Sequence, residues 1–199
     1  MQAPARDTGW GPMQVHFEAA RLAAAAFEAA GIAVQLHEPN LPVFAEEGES
    51  KRLAKKAKDG GEREWRGDSF LKLADRGQLL AAMRILRDDL GYEQVIDVTG
   101  VDYDAEDANL WGVYCLLSLR HKARLTVKVD VPKDDCWLDS IVSLYSAANW
   151  HERESSEFFG IVYRGHPDPR HVLLPDDWVG FPLRKDYEFP DEYHGISCN

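Results

Sequence analysis

The residues best suited to chemistry in this 199-residue chain lie between Trp150 and Tyr187. Glu152 and Glu154 come first, because paired carboxylates can divide acid and base duties. On a helix, residues two apart point in different directions, so these two cannot converge on one substrate. Arg153 stands between them, with Arg164 and Arg170 nearby, and ion pairing is their expected role. Gly165-His166-Pro167-Asp168, followed by His171, offers the imidazole and carboxylate ligands of a metal site, and with it a stand-alone metal-dependent hydrolase. No further strong ligand stands at a persuasive spacing, and a histidine before a proline in a turn is expected to bond locally. No metal site is expected. Ser155 and Ser156 lack the strand–elbow–helix setting of an activated serine. Neither GxGxxG nor a P-loop is present, so nothing points to a bound nucleotide. Arg184-Lys185-Asp186 is a charged triplet in which Arg184 is a candidate for bidentate pairing to a carboxylate, on this chain or another. These groups read as docking residues rather than as catalysts.

The stretch that carries them opens as a short helix, ended by Phe158, Phe159 and Gly160. Beyond it come Pro167, Pro169, Pro175 and Pro182, with aromatic and charged residues mixed without a period. Such a run is expected neither to pair as a strand nor to continue as a helix. It also holds Val162, Tyr163, Val172, Leu173, Leu174, Trp178, Phe181 and Leu183, too many large apolar groups for a solvated tail. It is expected to lie across something, either this chain's own body or another protein. A plain interaction module fits this reading as well as an enzyme subunit does. Removing the chain after Phe159 is expected to leave the body folded and abolish assembly.

The elements that must position this stretch follow from periodicity. Residues 14–30 are Ala-rich and predicted helical, with Gly31 as the stop. Val34 and Leu36 begin a short strand. Residues 39–61 have no period and include the basic cluster Lys51, Arg52, Lys55, Lys56 and Lys58 among acidic neighbours, so a solvated mobile loop is expected. Ser69 to Leu73 is a predicted strand. Asp75 and Gln78 resemble a capping box for a helix whose face is Leu79, Ala82, Met83, Leu86 and Leu90, ended by Gly91. Val95, Ile96 and Val98 form a strand closed by Thr99 and Gly100. Leu110 to Leu119 is apolar on both parities, as in a central strand covered on two faces. Leu125, Val127, Val129 and Val131 alternate with polar residues up to Pro132. A helical stretch is predicted through Leu138, Ile141, Val142 and Tyr145. The fold class is therefore α+β: one small mixed or antiparallel sheet packed with helices, followed by a long irregular C-terminal extension. The expected division is residues 1–62 for the N-terminal helix and charged loop, 63–160 for the body, and 161–199 for an extension wrapping a partner.

Composition narrows the class further. A net charge of −11, from 34 acidic and 23 basic residues, disfavours a nucleic-acid partner, which requires a basic stripe that the sequence does not show. Three cysteines, Cys115, Cys136 and Cys198, have no metal spacing and cannot all pair, which fits reduced thiols in a cytosolic compartment. No apolar run approaches the roughly 20 residues of a membrane span. A signal peptide is not expected.

The Glu152–Tyr187 run, with its Pro, Gly and charged positions in register, resembles the C subunit of respiratory complex I, the proton-translocating NADH:quinone oxidoreductase (30-kDa-subunit family). Asp97-Val98-Thr99-Gly100-Val101-Asp102-Tyr103, Leu125-Thr126-Val127-Lys128-Val129 and Ser146-Ala147-Ala148-Asn149-Trp150 resemble that family too, so the likeness spans Trp65 to Tyr187. The resemblance implies a cofactor-free structural subunit of the peripheral arm with no catalytic residue of its own. Its extension would wrap the D subunit, beside the quinone site, with the B subunit close by. FMN and Fe-S clusters would sit in sister subunits that bind NADH and quinone. The chain would reach the cytoplasmic side of the bacterial inner membrane through its partners. The positions expected to face a partner are Glu152, Arg153, Glu154, Phe159, Gly165, His166, Asp168, Arg170, Trp178, Arg184, Lys185 and Asp186. The family commonly has Asp at Glu157, Leu at Pro169, Arg at His171, His at Phe181 and a bulky pair at Ser155 and Ser156. A related membrane-bound hydrogenase complex with a homologous subunit is the alternative assembly.

Overall fold

Alternating apolar residues on four consecutive strands build the centre of the molecule. The structure is a computed structural model and describes residues 13–38 and 69–197. Helix α1 (Met13–Ala29) leads to strand β1 (Val34–His37). Strand β2 (Phe70–Leu73), a 3-10 turn (Arg76–Gln78), helix α2 (Leu79–Asp88) and strand β3 (Gln94–Val101) follow. Then come β4 (Asn109–Ser118), β5 (Ala123–Pro132), β6 (Trp137–Asp139), helix α3 (Ala148–Phe159) and β7 (Val162–Arg164). A small hairpin of β8 (Glu192–Tyr193) and β9 (Ile196–Ser197) ends the described chain.

The main sheet has the order β1-β2-β5-β4-β3 and is mixed: β2 and β5 run parallel, and the other pairs are antiparallel. Register puts Leu71, Val127, Tyr114 and Val98 in one row across the sheet, with Leu73, Val129, Gly112 and Gly100 in the next. These residues face the helices. Ala20, Ala23 and Phe27 of α1 and Leu79, Ala82, Met83 and Leu86 of α2 pack into the same core, which Ala148 and Phe159 of α3 complete. The sheet is thus covered by helices on one face, as an α+β layer requires. Small residues set the approach of α3. A Cβ added to Gly100 would stand 2.6 Å from the Phe159 ring, so only hydrogen fits there.

Several expectations are corrected. On β4 only one parity is buried; Trp111, Val113, Cys115 and Leu117 on the other are half-buried. That second face carries an aromatic row rather than a helix layer: His37 stacks on Phe70 at 4.4 Å, and Phe70 and Tyr103 flank Trp111. The Lys128 ammonium lies 4.0 Å from the Phe70 centroid and 4.4 Å from that of Trp111, which explains how a lysine can be buried in mid-strand. Strand β3 runs through Thr99 and Gly100 instead of closing before them. The capping box is half formed. Asp75 accepts from the Gly77 N–H at 2.8 Å, but the Gln78 amide turns to the Gly31 carbonyl.

The helix predicted from Leu138 to Tyr145 does not exist. Leu138 sits in β6, paired in parallel with Tyr163 of β7, and Ile141 to Tyr145 makes only a single turn. Pairing with a distant strand outweighs local propensity here. The same pairing corrects the idea that nothing after Gly160 forms a strand. Val162–Arg164 precedes the first proline, so its backbone donors are intact. Ile161 and Tyr163 are core residues, and a cut after Phe159 would therefore remove part of the body. The first twelve residues, the 39–61 loop with its basic cluster, Trp65 and Cys198 lie outside the described residues.

Gly100→Ala is expected to lower the unfolding free energy of the isolated chain by about 1–3 kcal/mol, the usual cost of overpacking. Urea denaturation followed by circular dichroism measures it.

Candidate partner interface

Beyond β7 the backbone has almost no ladder to join, so its polar groups must find side chains. Helix α3 supplies them. Glu157, a buried carboxylate one turn from the helix end, accepts from three successive N–H groups. Val172 donates at 2.9 Å, Leu173 at 3.0 Å and Leu174 at 3.2 Å. One turn earlier, Arg153 reverses the polarity, donating to the carbonyls of Arg170 at 2.7 Å and His171 at 2.9 Å. Charge-assisted bonds of this kind are the stronger ones, and neither group is spent on a solvent contact.

The helix end is the second anchor. Gly160 takes the left-handed conformation (φ 74°), and the Phe181 ring and Arg184 lie where a side chain would be. Arg184 donates to the Phe159 carbonyl at 2.7 Å, satisfying one of the helix's last acceptors. Among the described residues, no carboxylate pairs with Arg184 in the way expected. Leu183 N–H reaches the Phe158 carbonyl, and Lys185 N–H donates to Asp102 at 2.9 Å. The same Asp102 oxygen lies 3.1 Å from Lys133 Nζ, which ties the segment to the end of β3. Further out, Asp177 accepts from Tyr193 at 2.7 Å and bonds His194 at 2.8 Å, folding the β8–β9 hairpin back.

The other expected contact residues are placed as follows. Glu152 is fully buried and accepts from Ile141 N–H at 2.8 Å, so the ion pair expected with a neighbouring arginine is absent. Glu154, two positions on, is exposed, as the helical geometry requires. Phe159 is buried against Gly100. Gly165 is exposed at φ 80°, in the turn that leads to His166. His166 bonds locally, as expected: Nδ1 accepts from Asp168 N–H at 3.0 Å, and Nε2 lies 3.1 Å from the Asn149 carbonyl. Arg170 grips Asp168 with both nitrogens and holds its carboxyl down to about 2. His171 turns to the Pro175 carbonyl. The set His166, Asp168 and His171 is thus engaged with the backbone and with Arg170. Among the described residues, no three His, Cys, Asp or Glu side chains are grouped to hold a metal. Trp178 is half-buried with its ring 5.1 Å from Tyr193, and the side chains of Lys185 and Asp186 are exposed.

Among the side chains that the polar anchors leave outside are four large apolar ones. Leu173 is 64% exposed, Val179 83%, Leu183 51% and Phe189 62%. The positions expected to face a partner include none of these four, although Leu173 and Leu183 are among the apolar groups that mark the segment as one laid across a surface; the clamp at Glu157 was missed. Trp150, on the body beside a groove of about 570 Å³ shared with Asn149, Arg153 and His171, was missed too. The clamp was visible only as one more acid in a charged helix. The exposure of the four could not be read without knowing which way the backbone bonds would turn them. Removing the clamp has a defined outcome. In Glu157→Ala, amide exchange at Val172, Leu173 and Leu174 is expected to rise at least about tenfold, as orphaned donors cost about 1–3 kcal/mol. Amides of β4 and β5 should keep their protection. Hydrogen exchange read residue by residue tests both.

Residues 73–193, most of the described body and segment, match the family described as respiratory-chain NADH dehydrogenase, 30 Kd subunit. The C subunit of NADH-quinone oxidoreductase from Citrifermentans bemidjiense is 42% identical over 124 residues, 62% of this chain and 76% of that protein. Its counterpart from Geotalea uraniireducens is 38% identical over 125 residues, 63% of this chain and 76% of its own length. Among solved structures, a trypsin-resistant fragment of Nqo5 is 31% identical, with a TM-score of 0.47, covering 60% of this chain and 98% of the fragment. With a family match over more than half its length, the chain belongs to the 30 Kd subunit family of respiratory-chain NADH dehydrogenases.

Proposed function

We propose that this chain is a structural subunit in the peripheral arm of an NADH:quinone oxidoreductase, where its C-terminal segment lies across a neighbouring subunit. The observation that carries the reading is the division of the segment after His171: backbone groups bonded inward, large apolar side chains turned outward. Full burial of one such side chain is worth about 1.5–3 kcal/mol. Association costs about 4–15 kcal/mol in lost freedom and ordering, so the row must act together rather than through one residue. The anchors to α3 and Asp102 reduce the ordering part, since the segment is held in shape before a partner arrives.

The partner that fits the family is the D subunit, beside the quinone site, with the B subunit adjoining. Both relatives named above carry the quinone oxidoreductase name, which favours this assembly over a hydrogenase-type one. In this reading the chain performs no chemistry itself; FMN and Fe-S clusters belong to sister subunits. Among the described residues the cysteines are Cys115, on β4, and Cys136, just before β6, both half-buried. No helix among the described residues is long and apolar enough to cross a membrane. Attachment to the cytoplasmic side of the bacterial inner membrane would then run through partners.

The test is purification of the tagged chain from detergent-solubilised membranes. The unaltered chain is expected to bring flavin- and cluster-bearing subunits with NADH:quinone activity. The triple variant Leu173→Asp, Val179→Asp, Phe189→Asp alters only exposed positions, so each change should shift stability by no more than about 0.5 kcal/mol. It is expected to lose those subunits while melting at an unchanged temperature. Full assembly of the variant would sink the proposal.

A further inference from the structure

We propose that Glu152 and His166 form a buried proton site whose occupancy controls how firmly the C-terminal segment is rooted. The proposal rests on geometry that the docking function does not use. One Glu152 oxygen accepts from Ile141 N–H; the other, Oε2, is buried, has no hydrogen-bond partner among the described residues and lies 4.0 Å from His166 Nε2. Both side chains are nearly inaccessible, at 0% and 2%.

The groups facing Glu152 offer no cation to balance a charge. Tyr114 of β4 and Tyr163 of β7 are buried phenols that sense the carboxylate. Ser140, after β6, contributes a hydroxyl, and Asp139 beside it adds negative charge near Tyr114. Arg164 is committed to Asp139 at 2.7 Å. Arg153, next on the helix, points away to the Arg170 and His171 carbonyls and to Asp168. An ionised carboxylate here would be a bare buried charge. Burial accordingly pushes the Glu152 carboxyl up to about 7, against the opposing pull of the Ser140 hydroxyl and the Ile141 N–H.

His166 makes this a matter of structure. The Asn149 carbonyl can only accept, so Nε2 carries the hydrogen; the Asp168 N–H can only donate, so Nδ1 must be bare. The imidazole is therefore neutral while the segment is rooted as seen. When Glu152 gives its proton to solvent, two arrangements remain. With neutral His166, the buried charge stays uncompensated. With a solvent proton taken at Nδ1, an imidazolium faces the carboxylate, but Asp168 N–H loses its acceptor and the Asp168–Arg153–Arg170 contacts lose their anchor. Either way the root loosens as Glu152 ionises. The sign follows from the raised native value. The folded chain binds this proton more tightly than an unfolded one with the ordinary value of 4.5. The benefit is full below about 4.5 and is lost as pH rises through about 7.

The experiment is an NMR titration of the full chain, following the Glu152 carboxyl carbon and the Asp168 amide between about pH 5 and pH 8.5, a range wide enough to bracket a shifted carboxyl. Both are expected to move with one midpoint near neutrality. In Glu152→Gln the Asp168 amide should stay still across the range. A Glu152 midpoint below about 6, where no strong burial penalty acts, would overturn the proposal. So would an Asp168 amide that does not follow Glu152 in the unaltered chain, or one that titrates unchanged in Glu152→Gln. The first two readings need no variant, so a failure of Glu152→Gln to fold leaves the outcome decided. The titration reads this chain alone and is independent of which subunit the segment meets.

Discussion

A backbone that cannot bond to itself has to be bonded by something, and that constraint shapes the C-terminal fifth of this protein. Its prolines rule out a ladder, while its apolar side chains rule out life as a solvated tail. Two charged side chains on successive turns of α3 resolve the conflict, one taking N–H groups and the other giving to carbonyls. The arrangement works because Glu157 and Arg153 are four residues apart and so share a helix face. Helix α3 is in turn fixed by Phe159 against the bare backbone of Gly100. The sheet, the helix and the segment thus form one line of support.

The main sheet owes its reliability to repetition. Leu125, Val127, Val129 and Val131 all point inward, and a slip of one residue would expose all four. A base of this kind does not need to take part in chemistry to matter. It fixes the position of α3, and through it the direction in which the segment leaves. The β6–β7 pair adds a stitch at the point of departure, with Ser140 N–H bonding the Arg164 carbonyl.

Much of this was legible in the residues. The α1, α2 and α3 helices, the five strands of the main sheet and the irregular character of the extension follow from periodicity and from Gly and Pro positions. The proline-broken segment was expected to lie across a surface, and its backbone is bonded to α3 and to Asp102 of this chain. What stayed hidden has a common cause. The β6–β7 pairing, the Glu157 clamp and the burial of Glu152 each depend on contacts between residues 11 to 25 positions apart, outside any local window. Glu152 and Glu154 look alike in sequence and part company in space: one lies under the segment, the other in water. Arg184 looked like a carboxylate's partner because a guanidinium suits one, but the last carbonyls of a helix suit it too.

The exposed row of Leu173, Val179, Leu183 and Phe189 also bears on the time before assembly. Two newly made copies present each other with the same greasy strip, a standing invitation to stick. The surplus of acidic residues, −11 in all, makes like copies repel at distances where apolar contact has not begun. Salt shortens the reach of that repulsion to about 8 Å at physiological strength. On its own the chain would thus depend on charge to delay self-association, and a lingering unassembled copy is the kind of species that chaperones and proteases act on. If a partner subunit covers these side chains as proposed, the abundance of the chain would follow the supply of that partner.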